Sequence, residues 1–270
     1  MEKLEHSVWI VQIINALFGP LVAAALRPLG VEFAPGHDVI PDFIVMSLLI
    51  LVGLSVLCLF IRSRLSVENP GKLQLALEEA VSFLNGMLDD FVGPKGRSYL
   101  GLVGTMFIFI LIGNLMGLVP GLKSPTSNIN VTLGCALTVF VYYQFHGFKE
   151  QGVVGYIKHF MVPPGAPVWI APIYFPIELI SHLSRVLSLS VRLFGNIFGE
   201  DLVILILASI VPFVVPLPMM FLGLVTSALQ AYIFAMLTTI YLAGAVVVEH
   251  GPEGHGEHAG GHEAARVVAA

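Results

Sequence analysis

The chain has 270 residues, 56% of them hydrophobic and 11% charged, with a formal net charge of −5. A typical soluble domain is roughly 25% charged, so this composition and a mean hydropathy of +0.88 point to a membrane protein. The thin negative charge leaves no basic footprint for nucleic acid.

No basic n-region with a small-residue cleavage site opens the chain, so no signal peptide is expected. Residues 8–26 are mostly apolar but are interrupted by Gln12, Asn15 and Gly19-Pro20. That pattern predicts an interfacial helix within an N-terminal segment, residues 1–40. The first clear span is Phe43 to Ile61, uncharged and 19 residues long, close to the ~20 residues that cross a bilayer core. Residues 72–92 mix Lys72, Gln74, Glu78, Glu79, Asp89 and Asp90 with apolar residues at steps of mostly three and four. Such a segment is an amphipathic helix that lies along a membrane face or another helix.

A second span is predicted from Tyr99 to Val119, ending at Pro120-Gly121. It carries the GxxxG pattern Gly113 to Gly117, which allows a second helix to approach closely. The short polar loop Lys123 to Asn130 leads into a third span, Val131 to Phe148, and Pro163 to Pro167 mark a turn beyond it. Residues 168–248 read as two long helices separated by Pro212, Pro216 and Pro218. Each arm exceeds what one upright crossing requires, which predicts a tilted hairpin. Pro172 and Pro176 suggest that its first arm begins after Tyr174. The fold class is therefore an all-α polytopic membrane protein with about five crossings, plus interfacial amphipathic helices. Its membrane domain occupies residues 41–248.

Lys and Arg set the orientation. Arg62, Arg64, Lys72, Lys95 and Arg97 lie between the first two spans, and Lys149 and Lys158 follow the third. The positive-inside rule places these loops and the C-terminus in the cytoplasm, with the N-terminus outside. Residues 249–270 are rich in Gly, His and Glu, a composition of disorder. No rigid element holds those imidazoles, so no metal site is assigned. Cys58 and Cys135 lie in apolar stretches without ligand spacing and read as small apolar fillers.

Arg192 stands inside a long apolar run, and beyond Asp201 no Asp, Glu, Lys, Arg or His occurs until Glu249. An Arg in hydrocarbon costs at least about 2.5–3.5 kcal/mol on insertion scales and usually marks a pathway or a partner. It also stays charged in proteins. Helical spacing puts Glu178, His182, Arg185, Ser188, Arg192, Asn196 and Glu200 roughly on one face. A salt-bridge ladder from Glu178 through Arg185 to Arg192 is the purely structural alternative. His182 reads equally as a pathway residue or as a packed one. In the second arm Gln230 is the one amide or charged side chain between Met219 and Val248. Alone it reads as interhelical glue or as a pathway residue; opposite the Arg192 stripe, a pathway role gains weight.

Arg192-Leu-Phe-Gly-Asn196 followed by Glu200-Asp201 resembles the signature of the membrane-embedded a subunit of F-type rotary ATP synthases. Leu229-Gln230-Ala-Tyr-Ile-Phe234 through Tyr241-Leu resembles the last helix of that family, and Asn128-Ile-Asn130-Val-Thr132 the segment before its third span. The resemblance covers roughly residues 40–250. It implies a stator subunit in a bacterial inner membrane that offers two offset half-channels, most simply for protons, to a ring of c subunits. Arg192 would be the essential arginine. Asn196, Asp201 and Gln230 would flank the outer half-channel, and Glu178, Arg185 and Ser188 the inner one. Asn114 resembles a further polar position. Implied partners are the c-subunit ring, b-type peripheral stalk subunits, the lipid bilayer and, indirectly, the F1 sector. No cofactor is implied. Two positions depart from the pattern. Some relatives carry a His where this chain has Gly223, and an acidic residue where it has Gly117, so Glu200 is expected to share the outer role with Asp201.

Two other classes fit less well. A secondary transporter would show internal repeats and broken helices around a midplane site. A channel or voltage sensor would show a filter or several regularly spaced arginines. The sequence has no Gly-rich phosphate loop or nucleophile elbow, so any ATP chemistry is expected in partner subunits.

Overall fold

A computed structural model of the chain describes residues 9–26, 39–66, 71–119, 121–152, 155–156, 168–210 and 216–246. Among these residues the structure is helical, joined by turns, with no strand. The tail 249–270, the turn at Pro163 to Pro167, Lys158 and Pro212 lie outside the described residues.

Helix α1 (Trp9–Leu26) runs through Pro20 without ending there. Its Asn15 side chain clamps the backbone of Ile40. Asn15 Nδ2 donates to the Ile40 carbonyl at 3.0 Å, and the Ile40 N–H donates to Asn15 Oδ1 at 2.8 Å. Val11 then packs with Val45, Met46, Ile50 and Met116. Helix α2 (Asp42–Arg64) starts behind Pro41, with Asp42 in its first turn and Arg62 and Arg64 in its last. Those charges complement the helix dipole. Leu48, Leu51, Val52, Val56 and Leu59 stay exposed along it, as suits hydrocarbon contact.

Helix α3 (Lys72–Val92) is the expected amphipathic segment. It stops at Gly93, whose φ of 85° only glycine adopts readily, and the Gly93 N–H returns to the Asp89 carbonyl at 3.1 Å. The chain folds back through a 3-10 turn, Gly96–Tyr99. A Cβ at Gly96 would lie 2.6 Å from the Leu88 carbonyl oxygen, so only glycine permits this return. Helix α4 (Leu100–Gly117) follows. The close approach at Gly113 and Gly117 is to the 3-10 turn Pro125–Ser127 and its neighbour Ser124, rather than mainly to another helix. Helix α5 (Ile129–Gln151) is capped by Asn128, whose side chain accepts the Asn130 N–H at 2.9 Å.

Helix α6 (Ala171–Ile210) has 40 residues and begins at Ala171, before Tyr174 rather than after it. Pro172 sits in the first turn, where a missing N–H is tolerated. The bond that Pro176 cannot make would have ended on the Pro172 carbonyl, so only the opening of the helix is weakened. Helix α7 (Pro216–Val246) has 31 residues, with Pro216 and Pro218 in its first turn. At 1.5 Å per residue the two arms are about 60 Å and about 46 Å long. A hydrocarbon core of about 30 Å accommodates them only with tilt.

Among the described residues four helices are long and apolar enough to cross a membrane: α2, the stretch Gly96–Gly117, α6 and α7. Helix α5, over the expected third span, matches α2 in length but is not among them: besides the buried Thr132 and Tyr143 it carries Asn130, Gln144, His146, Lys149, Glu150 and Gln151. The inner helix is α7, which packs against α3, α4, α5 and α6. Its buried residues Gly223, Ser227, Gln230, Ala231, Phe234, Ala235, Thr238, Thr239 and Leu242 recur at helical spacing. Most are small, which lets neighbouring backbones come close where lipid supplies no hydrophobic drive.

Candidate functional site

The two arms of the hairpin run antiparallel in one register. Arg185 meets Tyr241, Asn196 meets Gln230, and Glu200 meets Thr226. At the centre, Asn196 Nδ2 donates to Gln230 Oε1 at 2.9 Å. Gln230 is 3% exposed, so an unpaired amide there would be costly. A cleft of about 250 Å³ opens beside this bond, lined by Asn196, Glu200, Gly223, Thr226, Gln230 and apolar neighbours. That space has room for several waters at about 30 Å³ each.

One turn along, Glu200 Oε2 accepts the Thr226 hydroxyl at 2.9 Å. Its other oxygen lies over Gly223, where a Cβ would collide with Glu200 Oε1 and come within 2.9 Å of Leu118. Asp201 points elsewhere, because successive helical residues diverge by about 100°. It lies beside Ser127 and above Gly117, where a Cβ would come within 3.4 Å of Asp201 Oδ1 and 2.9 Å of Ser124 Cβ. The two glycines that depart from the family pattern are thus the positions over which the two carboxylates sit.

Behind Asp201 runs a buried polar chain. Ser124 Oγ donates to the Gly113 carbonyl at 2.9 Å and lies 2.7 Å from Thr126 Oγ1. Thr126 Oγ1 donates to Asn114 Oδ1 at 2.6 Å, and Asn114 Nδ2 reaches the Ser227 carbonyl at 3.5 Å. Asn114 thereby links α4 to α7 on the Asp201 side of the hairpin.

Arg192 is exposed, one turn from Ser188 and one from Asn196, on a side of α6 that also shows Val191 and Gly195. Among the described residues it has no hydrogen-bond or ion-pair partner. The salt-bridge ladder does not form. Arg185 lies over the Tyr241 ring at 5.5 Å, a cation–π contact, and Glu178 pairs with His182.

That second cluster lies about 21 Å along α6 from Asn196. His182 Nε2 is 3.3 Å from Glu178 Oε1, and His182 Nδ1 is 2.8 Å from the Tyr143 hydroxyl. The predicted stripe is therefore not uniform. Ser188, Arg192 and Asn196 face outward, whereas His182 is buried against α5, because the row runs along the edge of the packed face. Tyr156, just beyond α5, packs on Gly147, donates its hydroxyl to Gln144 and stands in the field of Arg185 and Glu178.

Sequence reasoning singled out Glu178, His182, Arg185, Ser188, Arg192, Asn196, Glu200, Asp201, Gln230 and Asn114, and the structure gathers all but the lone Arg192 and Ser188 into bonded or packed groups. It overlooked Ser124, Thr126 and Tyr143. The first two read as an ordinary polar loop, and Tyr143 as one more aromatic in a span; only long-range packing sets them apart.

A family model described as ATP synthase A chain matches residues 43–243. Among similar proteins is an ATP synthase subunit a of Citrifermentans bemidjiense, 44% identical over 225 residues, covering 83% of this chain and 94% of that protein. Another, from Aliarcobacter butzleri, is 44% identical over 220 residues, covering 80% and 93%. A third, from Campylobacter jejuni, is 49% identical over 175 residues, covering 63% and 76%.

Proposed function

The chain belongs to the ATP synthase A chain family, as a multi-pass membrane subunit of the Fo sector, and on that premise we propose that it conducts protons through two offset half-channels to a c-subunit ring. One observation carries this reading. A permanently charged Arg192 is exposed on a face of α6 that it shares with the uncharged Ser188, Val191, Gly195 and Asn196, without a partner in the described chain. An unpaired charge in hydrocarbon needs a counter-charge from outside, and a ring carboxylate supplies one.

A ring carboxylic acid facing lipid keeps its proton, since burying the charged form is costly. Beside Arg192 the ionised form is favoured and the proton leaves. The same fixed charge repels a proton moving directly between the half-channels, so the ring must turn. Asn196, Gln230, Glu200, Asp201 and Asn114 form the outer route, and Glu178, His182, Arg185 and Ser188 the inner one. Excess Lys and Arg in the loops puts the inner end in the cytoplasm and the N-terminus outside. A b-type stalk holds the subunit against the ring and the F1 sector.

Arg192→Ala should abolish proton-driven ATP synthesis in membranes while the complex still assembles; near-normal synthesis overturns the reading. Arg192→Lys should also fail largely, because a desolvated Lys can lose its proton. For the routes, single cysteines are placed in a chain with Cys58 and Cys135 replaced, since Cys58 is exposed. Cysteines at Asn196, Glu200, Gln230, Glu178 and Ser188 should react with water-soluble thiol reagents. One at exposed Ile206, on the apolar face, should not, and equal inertness throughout would mean that water does not enter.

A further inference from the structure

The inner cluster contains a side chain that the family signature does not include. Tyr143 on α5 is 2% exposed, and its hydroxyl lies 2.8 Å from His182 Nδ1. The two rings stack with centroids 5.8 Å apart and planes 23° apart, and Phe140 approaches the imidazole edge-on. Across the ring, Nε2 faces Glu178, whose side chain keeps 21% exposure against 9% for His182. The pair therefore has a more exposed carboxylate end and a more enclosed imidazole end. Tyr143 occupies the enclosed end.

We propose that Tyr143 is the positioning residue of a Glu178–His182 proton-holding pair, its hydroxyl satisfying His182 Nδ1 in both protonation states. The inference rests on the half-channel reading above and assigns that pair to the inner route. With a neutral imidazole and an ionised Glu178, the ring proton sits on Nε2 toward the carboxylate, and the Tyr143 O–H donates to Nδ1. When the imidazole takes up one proton, Nδ1 becomes a donor and the Tyr143 oxygen accepts it. A hydroxyl is both donor and acceptor, so the change needs only a rotation of its hydrogen. The net step adds one proton to the imidazole and removes it again, and no other bond changes. The imidazolium is held beside the Glu178 carboxylate.

Titratable and charged groups facing this pair are Glu178, Tyr174 and Arg185 on α6, Tyr143 on α5, Tyr241 on α7, and Tyr156 beyond α5. Among these residue types and His182 itself, imidazole is the one whose ordinary titration falls between about pH 5 and about pH 8. Tyr143→Phe keeps the ring stack and removes the hydroxyl. Bonds to charged groups are stronger than bonds to neutral ones, so the imidazolium loses more than the imidazole.

The test is ATP synthesis driven by an imposed proton gradient in vesicles carrying the whole ATP synthase. The pH on the ATP-forming side is varied from about 5 to about 8, and each variant is expressed as a ratio to the parent so that the response of F1 cancels. Tyr143→Phe should move the midpoint of synthesis against pH down by about one unit, so that its ratio to the parent varies with pH. In a His182→Gln background the same substitution should change nothing. A ratio that is flat with pH overturns the proposal, as does an effect that persists without His182. Should Tyr143→Phe prevent assembly, Glu178→Gln tests the other end of the pair: it must move the same midpoint down, and only when His182 is present, and an unmoved midpoint overturns the proposal. Arg192→Ala is run in parallel. An active Arg192→Ala complex sinks the half-channel reading itself, whereas an inactive one with a flat Tyr143→Phe ratio sinks only the proposal for Tyr143.

Discussion

Glu200 and Asp201 are adjacent in the chain yet serve different surfaces. Glu200 turns toward Thr226 on α7, and Asp201 toward Ser127 and the end of α4. If both handle protons on the outer route, the pair Glu200→Gln/Asp201→Asn should slow ATP-driven proton pumping in vesicles much more than either single change. If Asp201→Asn alone matches the double variant, Glu200 is a bystander. Gly223→Ala tests the Glu200 site from the opposite side. The added Cβ meets the carboxylate and Leu118, so it should push Glu200 off the Thr226 hydroxyl. We expect pumping to fall to the level of Glu200→Gln, with the amount of assembled complex nearly unchanged because the colliding carboxylate is the end of a flexible side chain. That Glu200 stands in for a histidine is an expectation raised by the sequence and its resemblance to the family. Its placement directly above Gly223 was not legible there, since it depends on the register between two helices.

At the level of elements, the glycines of α4 show how a motif can be read correctly and still be assigned the wrong partner. Gly113-Asn-Leu-Met-Gly117 does allow close approach, but to the turn at Ser124 to Ser127 that carries the buried hydroxyl chain. Gly117→Ala should therefore loosen that turn and crowd Asp201. Overpacking of this kind typically costs about 1–3 kcal/mol. The expected result is a lower thermal dissociation temperature of the purified complex together with slower pumping; an unchanged temperature would show that the turn can shift freely. Helix α6 offers the complementary lesson. Its spacing revealed a polar row, but the row lies along the edge of the packed face, so His182 goes inside while Ser188 and Arg192 stay outside.

For the molecule as a whole, charge distribution carries a prediction about sidedness. With Arg62, Arg64, Lys95 and Arg97 in one loop, a tag at Met1 should be labelled by an impermeant reagent in intact cells, and a tag at Ala270 only after permeabilisation. The reverse pattern would invert the outer and inner routes. Composition, apolar run lengths and the isolated Arg192 were enough to establish a helical membrane protein, four of its apolar spans and its long final hairpin, because hydrocarbon demands internally bonded backbone and punishes stray charge whatever the neighbours are. The start of α6 was misjudged by a few residues, since a proline near a helix start removes only an early bond. What only the tertiary structure decided were the pairings between segments distant in sequence: Asn196 with Gln230, Asn114 with Thr126 and Ser227, His182 with Tyr143. Periodicity within one helix says which residues share its face, but the partner across the interface depends on register, tilt and the small residues that let helices approach, and those are properties of the packed whole.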